Sequence, residues 1–133
     1  MTERSNRFFV TGTDTSVGKS VFSALLLQAL SAEGFSTAAL KPVASGATYR
    51  NGKLQNDDAL LLQAAASIPA DYELINPLVF EPPVAPHIAA QSQCVELSVD
   101  ACMQAIQPVL KGDADYLVVE GAGGWLVPLN GRE

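Results

Sequence analysis

Residues 8–30 read FFVTGTDTSVGKSVFSALLLQAL, and this stretch limits the fold more than any other. Arg7 to Thr11 is aromatic and β-branched, the composition of a short buried strand over 7–11. Thr11 to Val21 then holds two glycines, three threonines, two serines, an aspartate and a lysine. An apolar-periodic helix follows from about Gly18 to Glu33, with a turn at Gly34 and a second strand over 36–41. Strand, helix and strand in that order make a βαβ unit. Its parallel strands require the helical crossover, which is right-handed almost without exception.

The remaining chain extends the alternation. Pro42 to Gln55 carries Gly46, Tyr49, Arg50, Asn51 and Gly52 and reads as an irregular loop. Asn56 or Asp57 caps a helix over 58–66, whose Ala-Leu-Leu-Leu-Gln-Ala-Ala-Ala run has strong helix propensity. Pro77, Pro82, Pro83 and Pro86 restrict residues 75–86 to a surface excursion with one short strand, 78–80. A third helix begins near Ser98 and runs to Lys111, with Pro108 disturbing its last turn. Tyr116-Leu117-Val118-Val119 is continuously apolar, as in a strand buried on both faces, and ends at Glu120-Gly121-Ala122-Gly123-Gly124. The expected architecture is an α/β layer sandwich with residues 1–133 as a single domain. A chain of 133 residues buries roughly two-thirds of its unfolded surface, enough for one core.

Charge and composition remove several function classes. Eight basic against fourteen acidic side chains give −6, and the basic residues are scattered, which argues against a nucleic-acid groove. Cys94 and Cys102 lack disulfide-framework or zinc spacing and read as reduced core residues. No uncharged apolar run approaches the roughly 20 residues that span a bilayer, and residues 1–7 lack an apolar signal core. The expectation is a soluble cytoplasmic protein without membrane or nucleic-acid partners.

The polar segment between strand and helix has a specific chemical use. A helix N-terminus presents unpaired N–H groups and the positive end of the helix dipole, so it attracts phosphate. Gly12 and Gly18 allow close backbone approach, Lys19 neutralises terminal phosphates, and the Ser20 hydroxyl suits a magnesium ion. The P-loop pattern G-x-x-x-x-G-K-[ST] is met except at its first position: Thr13 stands there and Gly12 lies one residue earlier. The bland alternative is an ordinary glycine-containing strand-to-helix turn.

FVTGTDTSVGKS, together with LKPVASG at 40–46, NDDALLLQ at 56–63 and VVEGAGGWLVPL at 118–129, closely resembles the dethiobiotin synthetase family. The four blocks occur in the family's order at about its spacing. The resemblance implies a three-layer P-loop NTPase-type sandwich with a mainly parallel sheet. Members of that family are longer, so the chain is expected to be the N-terminal part, with later strands, adenine contacts and dimer groups outside it. The activity implied is the joining of carbon dioxide or bicarbonate to 7,8-diaminononanoate with ATP and Mg2+, in a homodimer.

The same resemblance assigns roles. Gly12, Thr13, Asp14, Thr15, Ser16, Val17, Gly18, Lys19 and Ser20 form the nucleotide loop. Thr15 and Lys19 contact the phosphates and the reacting carbamate. Lys41 holds the carbamate and incoming phosphoryl group. Ser45 contacts the diamine, with Gly121, Ala122, Gly123 and Gly124 near it. Ser20, Asp58 and Glu120 bind magnesium, Glu120 lying at the carboxyl edge of a strand where ligands of open α/β sheets bind. Plain alternatives stand beside these: Lys41 as a solvent-facing strand-end lysine, Asp58 as a first-turn helix aspartate, Glu120 as a strand terminator. Ser16 stands where the family pattern carries glutamate.

Other residues read as structural. His87 follows a proline-rich loop and reads as structural or surface. Trp125 is expected to fill a core edge. Two other functional classes remain compatible with the cradle. One is a P-loop ATPase switch of the partitioning or maturation type, although Thr11 to Thr15 contain no extra lysine of the kind such switches carry. The other is a non-catalytic nucleotide-binding remnant.

Overall fold

The computed structural model describes residues 6–14 and 17–133. Strand β1 spans Asn6–Val10, helix α1 spans Lys19–Ala32 and strand β2 spans Thr37–Leu40. Helix α1 starts from Gly18, whose φ of 96° lies in the left-handed region that L side chains rarely adopt. It ends with Gly34 donating to Ser31 O and Phe35 donating to Leu30 O, a backbone cap that turns the chain toward β2.

Residues 42–55 are more regular than their composition suggests. They contain β3 at Val43–Ala44 and an antiparallel hairpin of β4, Thr48–Arg50, and β5, Lys53–Gln55. Asn51 and Gly52 take φ of 51° and 78°, the two positive values that a tight mirror-image turn requires. Asn-Gly supplies both at little steric cost, so the expected irregular loop is a hairpin.

Helix α2 covers Asp57–Ala65, and the Asn56 side chain caps it by accepting from Ala59 N at 3.1 Å. A single turn, α3 at Tyr72–Ile75, precedes β6 at Leu78–Val79, which pairs in parallel with β3. The proline-rich stretch opens helix α4, Pro86–Ser92. Pro86 occupies its first turn, where no N–H is needed. Helix α5 runs Val99–Leu110 from a Ser98 cap, and Pro108 is tolerated inside its last turn. Strand β7 is Tyr116–Glu120.

The main sheet has the order β1-β7-β2, all parallel. Strand β7 is paired on both sides, and its Leu117 and Val118 are buried. Successive residues of β7 serve opposite faces. Val118 packs with Ala39, Leu27 of α1 and Leu62 of α2, whereas Leu117 packs with Leu40 and Ile106 of α5. Helices therefore lie on both faces, which is the expected three-layer sandwich. Leu27, Leu62, Leu40 and Val118 have no exposed surface, and each full burial contributes about 1.5–3 kcal/mol. A third apolar cluster joins Val43 and Phe80 to Ala89, Ala90 and Leu97, seating α4 beside the β3–β6 pair.

One expectation fails at β1. It is an edge strand, with Phe8 42% and Phe9 62% exposed and Val10 buried. Aromatic composition selected the strand conformation; burial depends on neighbours that the composition of the segment does not specify.

Candidate functional site at the strand tips

Parallel pairing brings three strand ends to one edge. Val10 is in register with Glu120, and Leu40 with Val119. The loops leaving β1, β7 and β2 thus emerge side by side, at the carboxyl edge where ligands of open α/β sheets bind.

Glu120 is the centre of this edge. It is 1% exposed, and its Oε1 accepts from Ser20 Oγ at 2.7 Å and from Lys41 Nζ at 2.8 Å. Lys41 follows β2 directly, is also buried, and lies 3.5 Å from Gly121 O and 3.8 Å from Asp58 Oδ2. Ser20, Lys41, Asp58 and Glu120 come from four separate elements or their junctions and meet within one neighbourhood. The bland reading of Lys41 as solvent-facing is overturned, since a buried ammonium requires compensating oxygens. Asp58 occupies the first turn of α2, half-exposed, where the helix dipole favours its charge, and its carboxylate faces Lys41.

The loop from β1 to α1 wraps the other side. Lys19 is buried and donates from Nζ to Asp14 O at 2.7 Å, so its ammonium is folded against the loop. Thr13 and Asp14 are exposed. A side chain at Gly12 would meet Val17 Cγ2 at 2.6 Å and Lys19 Cγ at 3.3 Å, so only glycine leaves room for this loop path. Val17 itself faces an apolar groove with Phe9 and Phe22. Thr15 and Ser16, assigned above to nucleotide and carbamate contacts, lie outside the described residues.

Between these walls lies a cavity of ≈ 360 Å³, bordered by Gly18, Lys19 and Ser20 on one side and Lys41, Ser45 and Asp58 on another. Ala122 and Gly123 contribute part of the rim. Gly121 and Gly124 support that rim: a Cβ on Gly121 would lie 3.1 Å from Phe9 Cζ, and one on Gly124 3.3 Å from Thr13 O. The Gly121–Gly124 loop therefore runs close to the end of β1 and to Thr13.

The donor set suits a hard divalent cation. Glu120 Oε2 is buried without a hydrogen-bond partner among the described residues, although its charge calls for one. Two carboxylates and a hydroxyl match the sparse protein share of a magnesium site, which takes its remaining ligands from phosphate oxygens and water. Among the described residues no group of three His, Cys, Asp or Glu could hold a metal unaided.

Two structural readings need correction. Trp125 is 73% exposed and fills no core, because the glycine loop carries it outward from the sheet. Cys94 is exposed at a positive φ of 55°, whereas Cys102 packs against the α4 cluster, and burial pushes its thiol pKa up. His87 borders a separate cavity with Leu97 and Asn130. Asn56, read only as a cap, also borders the main cavity, and its Nδ2 donates to Ser45 O at 3.4 Å. Its place one residue before Asp57-Asp58 was the available signal.

The AAA domain family profile matches residues 6–133. The ATP-dependent dethiobiotin synthetase BioD of Pseudomonas paraeruginosa is 53% identical over 126 residues, 95% of this chain and 55% of its own length. That of Marinobacter nauticus is 48% identical over 126 residues, with 95% and 54% covered. The BioD 1 enzyme of Escherichia coli O157:H7 is 48% identical over 128 residues, with 95% and 56% covered. The chain thus spans about half the length of the curated relatives it matches.

Proposed function

The chain belongs to the AAA domain family, and we propose that it acts as an ATP- and Mg2+-dependent dethiobiotin synthetase, a cyclo-ligase that forms dethiobiotin from 7,8-diaminononanoate and carbon dioxide. The observation that carries this reading is the convergence of Ser20 Oγ and Lys41 Nζ on the buried Glu120 Oε1, beside a cavity that Lys19 also borders. The similarity to dethiobiotin synthetases over 95% of the chain supports the choice of substrate.

In this reading one amine of 7,8-diaminononanoate adds to carbon dioxide, losing a proton and forming a carbamate. The carbamate oxygen attacks the terminal phosphorus of ATP, giving a carbamic-phosphoric anhydride and ADP. The second amine then attacks the carbamoyl carbon, the C–O bond breaks, inorganic phosphate leaves and the cyclic urea closes. Such chemistry requires alignment and charge stabilisation more than a protein nucleophile.

The chain's own residues have matching tasks. Gly18 and the first turn of α1 present N–H groups to phosphate, with Gly12 to Val17 enclosing it. Lys19 leaves Asp14 O to meet the terminal phosphates, and Thr15 joins it at the carbamate. Lys41 draws the carbamate and phosphoryl oxygens together, held by Glu120. Ser45 and the rim Gly121 to Gly124 orient the diamine. Ser20, Asp58 and Glu120 would hold magnesium, which supplies positive charge to the phosphate oxygens.

The reading includes one domain over residues 1–133 of a cytoplasmic homodimer acting on small molecules, without nucleic-acid partners. No described helix is long and apolar enough to cross a membrane. Mixing the protein with ATP, magnesium, bicarbonate and 7,8-diaminononanoate and following phosphate release tests the proposal. Release that depends on the diamine is the expected result; release indifferent to it points to an ATPase switch, and nucleotide binding without release to a remnant.

A further inference from the structure

Behind the cavity runs a chain of buried polar groups that the proposed reaction does not use. Tyr72 and Asn76 are one helical turn apart on and after α3, so their side chains meet. The Tyr72 hydroxyl donates to Asn76 Oδ1 at 2.6 Å and accepts from Asn56 N at 2.8 Å. Asn76 Nδ2 donates to Lys41 O at 2.7 Å, and Lys41 N donates to Ile75 O at 2.8 Å. Tyr72, Asn76 and Asn56 are all buried.

These bonds have an unusual distribution. Both backbone polar groups of Lys41 are tied to the α3 turn, one by a side chain and one by the main chain. The same hydroxyl holds the residue that caps α2, and through Asn56 it reaches Ser45 O on one side and the helix turn bearing Asp58 on the other. Lys41 and Asp58 stand 3.8 Å apart on facing walls, and Tyr72 is bonded directly to the base of the Asp58 wall at Asn56 and, through Asn76, to that of the Lys41 wall. Burial raises the Tyr72 pKa, which keeps its hydroxyl proton available to Asn76.

We propose that Tyr72, acting through Asn76 and Asn56, is a positioning residue that sets the spacing of Lys41 from Asp58 and Ser45 across the cavity. The functional part of this inference rests on the role given to Lys41 above. A buried hydroxyl with two partners defines a distance more tightly than apolar packing does, because shifting either wall leaves a polar group unpaired. Misplacement of reacting groups by an ångström is costly to rate even when the fold survives. The nucleotide loop hangs from β1 and α1, outside this brace, so ATP binding and turnover respond differently.

The decisive variant is Tyr72→Phe, which removes one oxygen and retains the ring. In the full chain carrying this sequence, kcat for diamine-dependent phosphate release falls about tenfold, while ATP affinity stays within about twofold of the parent. Asn76→Asp, which turns the donor facing Lys41 O into an acceptor, reproduces the loss. Combining the two adds little, as for members of one network. Ile106→Val, in the separate α5 layer, serves as a stability-matched control and keeps kcat. In 15N-labelled protein, Tyr72→Phe shifts the Lys41, Asn56 and Ala59 amide resonances and leaves those of α1 in place.

Unchanged kcat in Tyr72→Phe overturns the role. Parallel loss of ATP affinity and kcat, or an equal loss of kcat in the Ile106→Val control, overturns it as well. If the parent protein shows no diamine-dependent release, the ligase reading has failed, and the amide shifts alone decide the brace: movement at Lys41, Asn56 and Ala59 with α1 in place upholds it, and any other pattern removes it.

Discussion

Lys41 and Glu120 form a buried ion pair, Nζ to Oε1 at 2.8 Å, with side-chain exposures of 6% and 1%. One residue directly follows β2 and the other ends β7, so the pair staples two neighbouring strand tips. Burial makes it costly to break from one side, since the survivor keeps its charge without its partner.

Glu120→Gln is therefore expected to lower stability by about 3 kcal/mol, despite its nearly identical shape. The half-exposed Asp58, 3.8 Å from Lys41, compensates only in part. Urea denaturation checks this, and a midpoint equal to that of the parent would show that the pair is solvated. Phosphate release falls in the same variant.

Lys19→Ala is expected to reduce phosphate release at least about 100-fold, the scale of losing one charge-stabilising donor. Its ammonium bonds Asp14 O in the loop and joins no core element, so circular dichroism and melting temperature stay near those of the parent. Turnover surviving in Lys19→Ala removes that residue from the reaction.

Gly18→Ala separates backbone strain from crowding. No atom lies within 4 Å of where the new Cβ would stand, yet φ is +96°. The cost is conformational, about 1–2 kcal/mol, and it falls on the first turn of α1, so nucleotide affinity drops with stability. Calorimetric binding and thermal melts measured together test this; unchanged values for both contradict a strained position.

Asp115 supplies a pH-dependent staple at the opposite edge of the sheet. Its Oδ2 accepts from Ser36 N at 2.7 Å and from Ser36 Oγ at 2.8 Å, and these bonds hold its pKa below the ordinary 3.8. Both bonds favour the charged form, so the contribution is fully present above pH 3.8 and is lost as pH falls through the lower folded value. Asp115→Asn is expected to be less stable at neutral pH and to approach the parent in strong acid. A stability difference that does not change with pH contradicts this account.

Local chemistry determined much of this protein. The Gly-Lys-Ser turn, the Asn56 and Ser98 caps and the apolar run before Glu120 each act within a few residues, and short-range sterics and hydrogen bonding decide them. Asn51-Gly52 belonged to the same class: its turn preference was present in the sequence, although its hairpin was not among the expected elements. Long-range pairing decided the rest. Phe9 reads as core and stands exposed because β1 is at the sheet edge, and Trp125 is carried outward by a loop whose path depends on distant contacts. Tyr72 and Asn76 carry no motif. Their relation to Lys41 exists only after the chain has closed over a separation of 35 positions, because burial assigns hydrogen-bond partners by space and not by sequence distance.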